Sequence, residues 1–367
     1  MTLIPMRTVS SQVASELHGH ISKGTWQEWL PSERVLCQQF QVSRSTLRSA
    51  LLQLKHDGVV TATHGVGYHI AFRPPLRGRA GVRSVALLAP KPISHLRPNT
   101  AHWIDELKDQ LHALGYELRY QNVRNCYQAE PERALNRLLR RETHAVWILV
   151  LTNKPMQRWF QENKIPCVVA GSLFEGISLP SVDFDSRAVC RHAAGVLVGA
   201  GHKRLVYLTH KPRSAGDIES ECGFLEAVSQ SRSDGISGLV AHHDESKEGI
   251  AKTIRRLMDQ DLPPTGLIVS NSNLFLSTVT ALASRGLRVP EDVSLICKDD
   301  ALFLSHVMPD PTRYISDDHT TAKKLITQVL HQIQCPLHRS ADIRLFPHFH
   351  KGASVKPPRA AAAPRKP

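Results

Sequence analysis

The chain has 367 residues, of which 41% are hydrophobic and 22% charged, so it is long enough for two or three globular domains rather than one. Its formal net charge of +13 points to a polyanionic partner, nucleic acid before an anionic membrane surface. No apolar run approaches the roughly 18 residues of a membrane span, no signal peptide is legible, and the seven scattered cysteines form no CxxC pair. These features predict a cytoplasmic protein without a disulfide scaffold, and nothing in them requires a cofactor.

The first 83 residues hold ten Lys or Arg against four Asp or Glu, a concentrated share of the positive charge. Val9, Val13, Leu17 and Ile21 recur every four residues and predict a first helix. Leu30-Pro31-Ser32-Glu33 opens a short second helix through Val35, Leu36 and Phe40, with Ser32 as its cap. Ser43 is placed to cap a third helix whose buried stripe is Leu47, Ala50, Leu51 and Leu54. Its opposite face carries Arg44 and Arg48 one turn apart, with Ser45 and Thr46 in the first turn. That pattern suits major-groove contact, where an arginine grips guanine O6 and N7 together. A merely solvated basic face is the alternative. Two β-prone runs, 59–63 and 68–70, then flank His64-Gly65-Val66-Gly67 and predict a hairpin.

The stretch LPSERVLCQQFQVSRSTLRSALLQLKHDGVVTATHGVGYHI resembles the winged helix-turn-helix of GntR-family regulators. The resemblance implies that Arg34, Arg44, Thr46 and Arg48 contact DNA, together with the wing at His64 and Gly65. It departs at Leu47, where valine is usual, and at His69, where a plain aliphatic strand residue is commoner.

Residues 73–83, rich in Pro, Gly and Arg, read as a basic interdomain linker between a DNA-binding domain at 1–72 and a larger domain at 84–355. The Pro/Ala-rich segment 356–367 reads as a disordered basic tail. Between them, candidate strands at 84–88, 117–121, 145–151, 167–170, 205–209, 238–241, 266–269 and 293–297 alternate with candidate helices. The helices are expected at 100–114, 131–141, 186–198, 220–231, 245–260 and 274–285. Such alternation predicts an α/β fold of parallel sheets covered on both faces, and its length predicts two doubly wound lobes. Ligands of such folds collect at the carboxyl ends of the strands.

Several phrases, among them Ala200-Gly201-His202-Lys203-Arg204-Leu205 and Gly286-Leu287-Arg288-Val289-Pro290-Glu291-Asp292-Val293-Ser294-Leu295, resemble the effector domain of LacI/GalR-type repressors, relatives of periplasmic sugar-binding proteins. The resemblance implies a repressor that binds operator DNA as a homodimer and answers to a small polar effector such as a sugar or polyol. It also implies a pocket around Asp185 and Asp299, with Ser220, Asn271 and Ser272 at matched positions. Ser220 stands where the family has a ring-contacting arginine, and Asn271-Ser272 where it has Asn-Asp. With that arginine missing, the carboxylates favour a neutral polyol or a cationic ligand over an anionic sugar phosphate.

Other classes have less support. G-x-G-x-x-G, G-x-x-x-x-G-K-[ST] and G-x-S-x-G are all missing, and neither His242-His243 nor His348-Phe349-His350 has metal-ligand spacing. A solute-binding protein would fit the second domain but not the first. A vestigial cleft serving only dimerisation stays open as a further alternative.

Overall fold

The computed structural model describes the chain except residues 1–8, 23–24, 27, 57–58, 64–66, 71–82, 212, 232–234, 335–340 and 360–367. The expected linker therefore lies outside the described residues up to its last member, Arg83, and so does the tail from residue 360.

The N-terminal unit is α1 (Val9–Ser22), α2 (Glu33–Phe40), α3 (Arg44–His56), β1 (Val60–Thr63) and β2 (Gly67–Ile70). Val13, Leu17 and Ile21 of α1 meet Leu36 of α2, and Leu47, Leu51 and Leu54 of α3, in one buried cluster closed by Val60 and Ile70. Val9 is 59% exposed, so the apolar stripe of α1 begins one turn later than its periodicity suggests. Ser32 occupies the N-cap of α2 without making a side-chain capping bond. β1 and β2 form the expected antiparallel hairpin. A neighbouring segment adds to it: Leu30 N donates to Tyr68 O (2.9 Å), and Ile70 N donates to Glu28 O (2.8 Å). His69, unexpected in an aliphatic strand, packs edge-on against Trp29 with ring centroids 5.0 Å apart.

The larger unit has two lobes. The first runs through β3 (Ser84–Ala89), α4 (Pro98–Ala113), β4 (Glu117–Asn122), α5 (Glu132–Arg141), β5 (Val146–Val150), α6 (Lys154–Glu162), β6 (Cys167–Ala170) and β7 (Ser181–Phe184). The second runs through α7 (Ser186–Gly199), β8 (Arg204–His210), α8 (Ala215–Gln230), β9 (Ser237–His243), α9 (Lys247–Met258), β10 (Gly266–Val269), α10 (Ser272–Ala283), β11 (Ser294–Cys297) and β12 (Thr312–Ile315). The chain then returns to the first lobe for α11 (Asp318–Gln334) and β13 (Asp342–Leu345), and ends in the second with β14 (His348–His350). The sheets have the orders β13-β7-β6-β5-β3-β4 and β14-β12-β11-β10-β8-β9, every pairing parallel except β12 with β14. Central strands such as β3, β5 and β10 are buried along their whole length, because helices cover both faces of a parallel sheet.

The eight expected strands are all present. Four further strands, β7, β12, β13 and β14, complete the sheets, and α6 and α11 were also not anticipated. Helix α8 begins at Ala215, five residues before the expected start. Ser214 and Asp217 form a reciprocal capping box there, with Ser214 Oγ accepting from Asp217 N and an Asp217 oxygen accepting from Ser214 N. The segment expected to open a disordered tail is bonded to the second lobe. Lys356 N donates to Ser294 Oγ (3.0 Å), and Lys356 and Arg359 pair with Glu291 and Asp292.

Gly223 of α8 explains a close helix contact. A Cβ added there would lie 2.0 Å from Arg187 O of α7, a backbone atom that cannot swing away. Gly223→Ala is therefore expected to force α7 and α8 apart and destabilise the protein by roughly 1–3 kcal/mol, as overpacked sites do. Urea unfolding of the variant checks this, and wild-type stability would show that the two helices have room to spare.

Candidate DNA-reading helix and effector cleft

Helix α3 is held by its cap and its apolar stripe. Ser43 Oγ accepts from Thr46 N (3.2 Å) and lies 2.9 Å from both Ser45 Oγ and Thr46 Oγ1. Leu47, Ala50, Leu51 and Leu54 are buried against the other helices. That packing leaves Arg44, Ser45 and Arg48 exposed on the far face, with Thr46 half-buried. Arg34 of α2 is exposed as well.

Sequence reasoning missed the partner of Arg48. Its Nε donates to both carboxylate oxygens of Glu33, at 3.0 and 3.3 Å. Glu33 is fifteen residues away on another helix, so no local spacing announces the pair. An ion pair this exposed contributes only about 0–1 kcal/mol, so it orients the guanidinium without holding it back from a stronger acceptor. Arg44 makes no ion pair among the described residues. His64 and Gly65, the expected wing contacts, lie outside the described residues.

Between the lobes, the N-terminus of α4 and the carboxyl ends of β5, β6 and β7 face the carboxyl ends of β8, β10, β11 and β12 across a cleft of 180 Å³. At about 30 Å³ per liquid water, that is the room of some six waters, the scale of a monosaccharide. Arg97, Asp183, Asp217, Lys298 and Asp299 bring charge to its walls, and Trp103 and Tyr314 supply aromatic surface.

The carboxylates differ in how far they are already satisfied. Asp217 accepts from Ser214 N (2.9 Å) and Ser214 Oγ (2.7 Å). Burial pushes its pKa up, but Lys298, the Ser214 hydrogen bonds and His210 outweigh burial and hold it below the ordinary value. Asp183 accepts from Ser172 Oγ (2.5 Å) and Phe184 N (2.8 Å), yet burial still raises its pKa. Asp299 has a buried Oδ2 with no hydrogen-bond partner. Burial raises its pKa against the opposing influence of Arg97, the Ser272 amide, Lys298 and the Cys297 thiol. Its neighbour Asp300 is spent on Arg313 (2.7 Å), so the two adjacent acids have separate roles.

Of the five ligand-site residues expected from sequence, the structure brings Asp299 to the cleft wall. Ser220 lies directly behind the wall, fully buried, with its Oγ 2.6 Å from Lys298 Nζ. Asp185 and Asn271 are N-caps, accepting from Ala188 N (2.9 Å) and Leu274 N (2.9 Å) and fixing α7 and α10. Ser272 is buried in the first turn of α10 and presents its amide to Asp299. The charge argument from sequence needs correction, because it assumed a cleft with no cation. Arg97 and Lys298 both line it. Lys298 was visible only as a residue beside Asp299, and Arg97 as a residue before a proline.

Among the described residues no group of three or more His, Cys, Asp or Glu is placed to hold a metal ion, and no helix is long and apolar enough to cross a membrane. His242 pairs with Glu221 (2.9 Å) and His350 with Asp310 (2.8 Å).

Residues 9–70 match the bacterial regulatory proteins of the gntR family, and residues 178–355 match the periplasmic binding protein-like domain. The chain is 24% identical over 288 residues to the arabinose metabolism transcriptional repressor of Geobacillus stearothermophilus, covering 75% of this chain and 77% of that protein. Its fold is similar to a LacI family transcriptional regulator from Bifidobacterium animalis subsp. lactis (TM-score 0.64, 20% identity, 75% of this chain and 98% of that one). It is likewise similar to a LacI family regulator from Enterococcus faecalis solved with bound ribose (TM-score 0.62, 19% identity, 75% and 99%). These are relatives and neighbours of regulators, not of enzymes.

The reading helix generates a direct expectation. Arg44→Ala and Arg48→Ala should each weaken binding to the selected DNA site by roughly 1–3 kcal/mol and relax sequence preference. Titrations at several salt concentrations separate loss of base reading from loss of a phosphate contact, which would lower affinity for all sequences alike. Wild-type affinity in both variants would dismiss α3 as the reading element.

Proposed function

We propose, since the chain belongs to the transcriptional regulators that join a GntR-family reading head to a periplasmic binding protein-like domain, that it is a cytoplasmic repressor. It holds operator DNA as a homodimer and is controlled by a small hydroxylated molecule in the interlobe cleft. Arg44 and Arg48 read base edges in the major groove, Ser45 and Thr46 support the first turn of α3, and Arg34, His64 and Gly65 reach phosphate or the minor groove. Two reading heads follow from the geometry of paired half-sites, which needs a two-fold protein.

One observation supports effector control most strongly. Asp299 keeps a buried, unpartnered carboxylate oxygen at the carboxyl end of β11. An unsatisfied buried acceptor is costly in the empty protein and is relieved by a ligand hydroxyl. Asp185 belongs to the same site as a positioning residue, since it caps α7, whose Ser186 and Val189 line the cleft. Asn271 caps α10, whose first residue, Ser272, steadies Asp299. Closure of the lobes on ligand would then alter the separation of the two heads, because a ligand shifts the equilibrium only by what it gains in one state over the other.

Selection of genomic fragments by the purified protein gives the operator. A panel of monosaccharides, sugar acids and polyols at millimolar concentration, read by thermal shift, gives the effector class. At least one member should stabilise the wild type and change operator affinity, and Asp299→Asn should lose that stabilisation while still binding operator. Equal stabilisation of Asp299→Asn would move the ligand out of the cleft. A protein that selects no DNA would end the regulatory reading altogether.

A further inference from the structure

We propose that Lys298 supplies the positive charge that Ser220 lacks, and that Lys298 and Arg97 together make the cleft selective for a small polyhydroxylated anion. The inference rests on the cleft being the effector site and names the class of ligand it takes.

The placement of Lys298 carries the argument. Position 220, where the resemblance expects an arginine, holds a serine whose Oγ donates to Gly216 O (2.7 Å) and receives Lys298 Nζ at 2.6 Å. A second neutral hydroxyl, Ser186 Oγ, lies 3.2 Å from the same nitrogen. The ammonium therefore stands over the serine, reached from β11 instead of α8. Two hydroxyls anchor it without cancelling its charge, and one of its three N–H donors remains for a ligand. An ammonium is a point charge, whereas a guanidinium is a fork that spans two adjacent hydroxyls. The exchange gives up the bidentate grip on a neutral diol and keeps a strong preference for one charged oxygen.

Neither cation of the cleft is locked in a direct ion pair, and each acts on the cleft carboxylates from a distance: Lys298 on Asp183, Asp217 and Asp299, and Arg97 on Asp299. Among the described residues, neither Lys298 nor Arg97 has a carboxylate within ion-pair distance. The acids nearby are engaged elsewhere: Asp217 with Ser214, and Asp183 with Ser172 and the Phe184 amide. Burial raises the pKa of Asp183 and Asp299, and the cleft cations and the hydrogen bonds these acids accept oppose it. Arg97 is itself the N-cap of α4, offers the helix no side-chain cap, and is followed into the cleft by Asn99 and Thr100. The positive end of that helix dipole faces the same space. Asp299 Oδ2, still unpartnered, accepts a hydroxyl from the rest of the ligand. A carboxylate or phosphate on a sugar-sized skeleton satisfies all of these groups together.

Three probes share one carbon skeleton and differ in charge: glucose, gluconate and glucose 6-phosphate. Calorimetric titration of the full-length protein should find one anion bound at least about tenfold more tightly than glucose, with the better of the two deciding between carboxylate and phosphate. Lys298→Gln and Arg97→Gln should each weaken that anion roughly ten- to a hundredfold, the scale of a charge-assisted hydrogen bond, and bring it level with glucose. Lys298→Arg, which keeps the charge, should retain the preference for the anion and shows that position 298 tolerates replacement. Glucose binding as tightly as both anions, or Lys298→Gln leaving the anion's affinity intact, overturns the proposal. If that glucose binding is lost in Asp299→Asn, the cleft still stands as the effector site. A wild type that binds none of the three overturns the proposal, and the wider panel then decides the fate of the cleft itself.

Discussion

Parallel pairing is the constraint from which the rest of the larger unit follows. Two neighbouring parallel strands cannot be joined by a tight turn, so the chain must cross the sheet face and return, here through a helix at nearly every step. Each crossover leaves from a carboxyl end and gathers turn residues and helix N-termini on one side of the sheet. In both sheets the second strand lies outside the first, β4 beyond β3 and β9 beyond β8. The direction of winding therefore reverses beside β3 and beside β8, and a crevice opens there. The chain passes between lobes after Phe184, after Ile315 and after Leu345, which sets the two crevices against one another.

That arrangement decides which groups become chemistry and which become scaffold. Helix caps take Asp185, Asn271 and Ser214, because the first amides of α7, α10 and α8 have no partner within their helix and need acceptors. Asp300 is used in holding Arg313, itself paired a second time to Asp310 at 2.9 Å. Among the charged groups that line the cleft, Arg97 and Lys298 have no carboxylate within ion-pair distance, and one oxygen of Asp299 has no hydrogen-bond partner among the described residues. They line a space of monosaccharide size, the combination on which the proposed effector site rests.

The reading head works by the opposite logic. Its core is small and its proposed reading face is an exposed surface supported from behind, where Leu47, Ala50, Leu51 and Leu54 seat α3 and leave Arg44 and Arg48 exposed. The Glu33 carboxylate orients Arg48 across the α2–α3 turn.

The winged helix-turn-helix was legible almost residue by residue, because its signals are local: a cap at Ser43, an apolar stripe at helical spacing, and glycine in a hairpin. Six of the eight expected strands, β3, β5, β6, β8, β10 and β11, were legible for the same reason, since strands buried on both faces read as continuous apolar runs, whereas β4 and β9 are half-exposed edge strands. Helix α11 was legible in principle from Ala322, Leu325, Ile326 and Val329 at helical spacing. Strand β13 was not. Asp342–Leu345 is half polar, and it is a strand because β7, some 160 residues earlier, offers it an edge. The cleft followed the same division. Sequence placed Asp299 just beyond a strand, and the resemblance put Ser220 where an arginine is expected. Only the tertiary structure decided that Lys298 stands over Ser220, that Arg97 faces it from the other lobe, and that Glu33 holds Arg48. Local spacing encodes which side chains share a face of one element, whereas a charge pairing between elements depends on crossovers that no local pattern records.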